Sequence, residues 1–310
     1  MRIGIFAGAR REVDNLENLT QQVQQAEADG FSHFWVPHLL TFGYDALTAL
    51  AVVGQQTSRI ELGTAVVPTY PYHPLGMAQH ALTAQRASNG RLALGIGLSH
   101  RPLIEGMMGL SYDGAAQHME EYLSVLRPLV SEGRVDFGGN VYNVKVELQV
   151  PDTVAFPVLV AALAPRMLRL TGELADGTIT WMAGRTTIES HIVPRISAAA
   201  RSAGRGQPRV CVGLPIAVTD SQQDGHEVAD AIFNRYGQLL NYRRLLDIEG
   251  VAGPADVAVV GNEAQVEQQL RAFASAGATD FLASIFPVGD DADTSIARTW
   301  GLLKSLNGKL

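Results

Sequence analysis

Along most of its length the chain repeats one pattern: a short run rich in Val, Ile, Leu and Phe, a break, then a longer amphipathic stretch. No other feature constrains the fold as tightly, because adjacent parallel strands need a long crossover, and a helix is the crossover that buries its own apolar face on the sheet. The strand-like runs are Arg2 to Phe6, "HFWV" ending at Pro37, "RIELGTAVV", "RLALGI", "FPVLVAAL", "GTITW", "RVCVGLPIAV" and "TDFLASIF". Helices are expected from Leu16 to Ala28, stopped by Gly30, in "ALTALAVVGQQT" capped by Asp45, from Leu75 to Ser88 and from Ala116 to Ser131. Further helices are expected in "RMLRLTGELA" opened by Pro165, after "GTITW" to Ala203, from His226 to Leu246, from Glu263 to Ala276 and from Ala292 to Leu306. Gly133 to Asp152 reads as an irregular insertion around a "FGGN" turn, and residues 221–260 hold an extra helical segment. Eight such units with no Pro/Gly/Ser-rich linker predict one α/β domain over residues 1–310, a (β/α)8 TIM barrel with insertions, rather than two Rossmann-like halves.

Composition narrows the partners. A net charge of −7 disfavours a nucleic-acid or anionic-membrane binder, which would carry a basic surface, and leaves a small-molecule substrate. Cys211 is the sole cysteine, so a disulfide within the chain and a cysteine metal cluster are both excluded. The first apolar run is too short for a signal-peptide core and no stretch is long enough for a membrane span, so a cytoplasmic protein is expected.

Barrel chemistry gathers where strands end, here at "FAGAR", "VPHLL", "TAVVP", "IGLSHR", "ALAPR", "TWMAGR" and "FPVGD". The only lysines, Lys145, Lys304 and Lys309, lie in the insertion and the tail, which argues against a Schiff-base enzyme. No His-x-His occurs, and His33 lies at the opposite end of its strand from His38, so no metal site is expected. None of these strand ends offers the opposed carboxylate pair of a glycosidase. What remains is backbone, apolar side chains, histidines and arginines, a set suited to a flat conjugated cofactor that brings its own reactivity. Arg166, at a helix start that already favours anions, and Arg185, after "MAG", are candidates for a cofactor phosphate, each equally readable as a solvated surface ion pair.

The stretch "RIELGTAVVPTYPYHPLGMAQHALTAQRASNGRLALGIGLSH" resembles the third and fourth βα units of the bacterial-luciferase-like flavin and deazaflavin oxidoreductases. The likeness continues in "FSHFWVPH", "LRLTGELADGTITW" and "VGNEAQVEQQLRAFASAGATDFLAS", and "GIGLSHRPLIEGMMGLSYD" is most similar to the actinobacterial branch that uses coenzyme F-420, an 8-hydroxy-5-deazaflavin. The resemblance implies a ring bound at the strand ends, with a non-proline cis peptide behind it at Ala65 and Val66. It places Gly97, Leu98 and Ser99, then Ala162, Leu163 and Ala164, against the cofactor, with Trp181 as a ring wall. It gives His38 and His100 as catalytic proton donors or acceptors, and Arg10 and His73 as lining of the substrate pocket. His100 stands near where some deazaflavin relatives carry an acidic residue, so their sugar-phosphate substrate does not carry over. A homodimer or larger homo-oligomer is expected by resemblance alone.

Three functions follow as alternatives: hydride transfer between coenzyme F-420 and a small organic substrate, an FMN-dependent monooxygenase, or a flavin-binding protein without catalysis. Gly95-x-Gly97-x-x-His100 lacks the third glycine of a dinucleotide fingerprint, follows three βα units and is expected to have no helix directly after it. Its glycines are read instead as letting strand four approach a flat ring.

Overall fold

The computed structural model describes residues 1–7 and 15–310. Eight parallel strand positions close into a barrel: β1 (Arg2–Phe6), β2 (His33–Val36), β3 (Glu61–Thr64) continued by β4 (Val67–Pro68), β5 (Leu92–Gly97), β8 (Val158–Val160), β9 (Gly177–Trp181), β10 (Arg209–Val218) and β12 (Asp280–Ile285). The ring shuts through the pairing of β9 with β10, where Trp181 meets Gly213. Two Rossmann-like halves are thereby excluded.

Several helices sit where the apolar period places them. Helix α1 (Leu16–Ala28) buries Leu19, Val23 and Ala26 and starts at Asn15, whose side chain accepts from the Asn18 N–H. Helix α2 (Ala46–Gly54) is capped by Asp45, α3 (Pro74–Ala87) starts at His73, and α5 (Ala115–Glu132) covers the β5 to β8 crossover. Helix α6 (Pro165–Leu174) opens on its proline.

The Ala65–Val66 peptide is cis, as the resemblance implies, and strand three is broken there between Thr64 and Val67. The structure departs from expectation in four places. Helix α4 (Arg101–Met108) follows β5 at once, opened by Pro102 near its start and closed by Gly109 in the left-handed conformation; Gly106 and a face with only Ile104 buried hid it. The insertion is an antiparallel hairpin, β6 (Arg134–Gly138) and β7 (Asn143–Glu147), whose Val135 and Val144 alternate with polar neighbours. The segment expected as one helix from His226 to Leu246 is α9 (Gln222–Phe233), a 3₁₀ turn over Asn234–Gln238, and α10 (Leu240–Glu249). The end of β10 runs past the barrel and pairs with a short outer strand, β11 (Val259–Gly261).

The remaining helices are α7 (Arg185–Thr187), which passes through a π turn over Ile188–Ile192 into α8 (Val193–Ser202), α11 (Glu263–Ser275) and α12 (Ala292–Leu306). Among the described residues no helix is long and apolar enough to cross a membrane.

The barrel interior is layered. At the N-terminal end of the strands Asp280, fully buried, takes Arg2 and accepts from Arg209 at 3.0 Å, and Arg209 also donates to Glu61 at 2.8 Å. The Trp35 indole donates to His33 Nδ1 at 2.7 Å, which leaves the His33 proton on Nε2, 3.3 Å from Asp280 Oδ1. Burial alone would raise the Asp280 pKa, but His33, Arg209 and Arg2 outweigh it and hold the carboxyl well below its usual range. Above this plug lies an apolar layer of Trp35, Ala93, Leu159, Ile179, Cys211 and Leu282, against which Phe6, Ala65 and Val66 pack. Burial pushes the Cys211 thiol well up, so it stays a neutral core group.

Candidate active site

A cavity of about 230 Å³ opens at the C-terminal mouth of the barrel. Its floor is the break in strand three. Ala65 N–H donates to Val36 O at 2.8 Å, Thr69 N–H to Gly97 O at 2.9 Å, and the Thr64 hydroxyl both donates to Gly95 O and accepts from Gly95 N–H, so the chain bulges inward with both flanks pinned. Gly95 and Gly97 make this possible. A Cβ on Gly95 would lie 2.1 Å from Thr64 O, and one on Gly97 would lie 2.8 Å from the end of the Val66 side chain. The two glycines thus seat the bulge rather than touching a ligand, a correction to their reading as the point of approach to a ring; Val66, held up by them, lines the cavity.

The walls are aromatic and aliphatic: Phe6, Trp181, Phe233, Leu163, Ile179 and Leu282, with Tyr236 and Tyr242 overhead from the split helical segment. Trp181 meets Phe6 at 5.3 Å and Tyr236 at 5.9 Å between ring centroids, which fixes its plane. Ser99, Thr180 and Ser284 supply hydroxyls, and the described lining contains no Lys, Arg, Asp or Glu.

His38 and His100 both line the cavity. The His38 side chain is nearly buried; its Nδ1 lies 3.4 Å from Asp45 Oδ2 and 3.4 Å from the Ala46 N–H, and its Nε2 lies 3.5 Å from the Tyr72 hydroxyl. Burial lowers the His38 pKa and the Asp45 carboxylate opposes this only in part, so the ring is neutral at pH 7. Asp45 does two things at once: Oδ1 accepts the Thr48 N–H as the α2 cap, and Oδ2 faces His38. Read from sequence it is a helix cap only; its position seven residues after His38, at the start of the next helix, was the available signal. His100 has its pKa lowered by burial with no charge opposing it, and its ring rests 5.7 Å from that of Tyr242. It follows Ser99, a non-glycine residue at φ 58°, whose carbonyl accepts the Tyr112 hydroxyl at 3.1 Å.

The other candidate residues fall into two groups. Ala65, Val66, Ser99, Leu163 and Trp181 line the cavity. Gly97 and Ala162 lie behind it in the core, while Ala161 lines it instead; Leu98 packs against the outer core. His73 caps α3, accepting the Leu75 N–H at 3.2 Å, and stacks edge-on to Tyr142 outside the cavity. Arg10 lies outside the described residues. Ala164 is the exposed N-cap position of α6, with Arg166 exposed just inside the helix. Arg185 pairs with Glu189 at 2.6 Å, and the adjacent Thr186 and Thr187 N–H groups are already taken by Glu249 at 3.0 and 2.7 Å. A carboxylate therefore occupies the place where Arg185 was expected to help hold a phosphate.

An apolar cavity above a pinned bulge, whose described lining carries hydroxyls but no charged side chain, fits a conjugated ring stacked between Val66 and the aromatic wall. The α6 start, two residues beyond Leu163, carries no side-chain cap and bears Arg166, which suits a phosphate on the ring's tail.

The family model of luciferase-like monooxygenases matches residues 1–293. The F-420-dependent hydroxymycolic acid dehydrogenase of Mycobacterium tuberculosis is 31% identical over 215 residues, 65% of this chain and 59% of that protein. The coenzyme F-420-dependent tetrahydromethanopterin reductase of Methanopyrus kandleri superposes with a TM-score of 0.76 at 19% identity, over 98% of this chain and 97% of that one. The oxygenating constituent of 3,6-diketocamphane monooxygenase from Pseudomonas putida, solved with FMN, gives a TM-score of 0.75 at 16% identity, over 100% of this chain and 97% of that one.

Proposed function

Because the chain belongs to the luciferase-like monooxygenase family, we propose that it is an F-420-linked oxidoreductase acting on a small organic alcohol or carbonyl compound. The observation that carries this is the pair of neutral histidines facing an otherwise uncharged cavity at the barrel mouth. Coenzyme F-420 held there by Ala65, Val66 and Trp181 would supply the hydride donor or acceptor. The chain does the rest. Ala65, Val66 and Trp181 hold the ring flat, and Leu163, Phe233 and Leu282 keep water from the reacting carbons. His38, a neutral ring beside the Asp45 carboxylate and the Tyr72 hydroxyl, takes the hydroxyl proton of an alcohol; protonated, it returns that proton to a carbonyl. Its lowered pKa favours the first direction at neutral pH. His100 lies across the cavity mouth and hydrogen-bonds the substrate oxygen.

Titration of the purified protein with coenzyme F-420 and with FMN, followed by absorbance and by tryptophan fluorescence, tests the reading. Saturable F-420 binding is the expected result. Saturation by FMN alone, with oxygen consumption on reduction, would establish the monooxygenase alternative, and binding without turnover of any alcohol or ketone would leave a carrier of the cofactor.

A further inference from the structure

Two flanks of the cavity mouth expose apolar side chains. On one side Leu39 is 42% exposed and Phe42, bridged to it by the Phe42 N–H to Leu39 O bond at 3.3 Å, is 56% exposed. On the other, Leu103 is 37% exposed and Met107, one turn further along the same face of α4, is 52% exposed. Leu39 and Leu103 also line the cavity, so the apolar surface runs without a break from the interior onto both lips. The cation nearest in the chain, Arg101, is committed to Glu105 and Asp113. Apolar patches continuous with a binding cavity mark what the cavity admits.

We infer that these lips are a subsite for the aliphatic chain of the substrate, which is an elongated, uncharged alcohol or its carbonyl counterpart. The inference rests on the reading above for the reacting end and adds the class of its tail. The reactive carbon sits under His38, which takes the hydroxyl proton; coenzyme F-420, when bound, would supply the acceptor for the carbinol hydride, so that the alcohol loses a proton and a hydride and leaves as the carbonyl compound. The chain then lies between Leu39 and Leu103 and ends against Phe42 and Met107. The described lining contains no Lys or Arg to pair with a phosphate or carboxylate on the substrate.

The test is equilibrium binding of a homologous series, propanone to 2-nonanone, to the full-length protein by titration calorimetry, with and without coenzyme F-420. Each added methylene is expected to tighten binding about fourfold until the lips are covered, and kcat/KM for the matching 2-alkanols should climb in parallel. Phe42→Glu and Met107→Glu are expected to flatten the series beyond the first few carbons, whereas Val154→Glu, at an equally exposed apolar site in the loop before β8, leaves the slope intact. A flat series in the unaltered protein, or tighter binding of glucose 6-phosphate than of any ketone, overturns the inference. So does a change of oligomeric state in the lip variants with the slope unchanged, which would assign the patch to a second copy of the chain. A graded ketone series in a protein that does not bind F-420 keeps the tail subsite and removes the cofactor reading.

Discussion

The two ends of this barrel treat ionisable groups in opposite ways. At the N-terminal end five of them, Arg2, His33, Glu61, Arg209 and Asp280, are packed together and saturate one another. At the mouth, 22 described residues line a cavity and the only ionisable side chains among them are two histidines, whose pKa burial lowers, and two tyrosines. Charges paired around a buried carboxylate have little left to offer a ligand, and their value is structural. Histidines kept neutral by burial retain a lone pair or a proton for exchange. The difference predicts that substitutions at the two ends separate stability from catalysis.

The largest effect is expected at His38. Replacement by Ala should lower kcat/KM for alcohol oxidation by about 10²–10⁴-fold while leaving the melting temperature and F-420 affinity nearly unchanged. The parent enzyme should lose activity in acid with an inflection below the ordinary histidine value, because the lowered pKa keeps the base form present until the pH falls through it. His38→Ala should abolish that limb, and a variant that keeps it would move the essential base to another residue.

Asp280→Ala inverts the pattern. It leaves Arg209 and His33 facing each other in the core without their anion, a loss of about 3–5 kcal/mol in denaturant unfolding with kcat of the surviving folded protein unchanged. The sign in pH follows from the direction of the shift. Asp280 is held below its unfolded value, so its contribution is full above about pH 4 and is lost as the pH falls through the folded pKa. The parent should destabilise in acid more steeply than Asp280→Ala. Equal slopes would mean that the plug is not the acid-sensitive element.

Gly95→Ala should couple the two ends. The added Cβ meets Thr64 O at 2.1 Å and Ile179 Cδ1 at 2.5 Å, so the bulge must shift; about 1–3 kcal/mol of stability and F-420 affinity are expected to fall together. Gly97→Ala meets side-chain atoms rather than backbone, Val66 Cγ2 at 2.8 Å and Ala161 Cβ at 3.1 Å, and should be milder. If Gly95→Ala weakened stability without touching affinity, the bulge would not be the floor of the cofactor site.

How much of this was legible beforehand follows from where the physics is local. The barrel, most of its strands and the ends of α1 were readable, since apolar period, caps and breakers are properties of neighbouring residues. The cavity floor was only half readable. "GTAVV" looks like an unbroken strand, and the reason it bulges, that Gly95 and Gly97 on the next strand leave room for it, lies about 30 residues away. Arg185 was misread for a similar reason. The Glu249 carboxylate that occupies its loop comes from α10, which sequence periodicity had merged into one long helix. Asp45 was seen in one role because a cap is visible in four residues, whereas a partner for His38 requires knowing how the loop between them folds.

The smallest effect distinguishes a supporting residue from a reacting one. Ser99 holds a left-handed backbone at φ 58° immediately before His100, and the Tyr112 hydroxyl, on its carbonyl at 3.1 Å, is the bond that steadies it. Such a conformation costs a residue with a Cβ about 1–2 kcal/mol, and one neutral hydrogen bond contributes about 0.5–1.5 kcal/mol, so the bond offsets much of the strain. Tyr112→Phe should therefore cost about 1 kcal/mol in unfolding and raise KM a few-fold as His100 loosens, with kcat little changed. Glycine adopts this conformation without strain, so Ser99→Gly in the Tyr112→Phe background should restore KM toward the parent value. A fall in kcat of a hundredfold in Tyr112→Phe, unrelieved by the glycine, would instead place the phenol among the groups that touch the substrate and move the boundary between the supporting shell and the reacting mouth one residue outward.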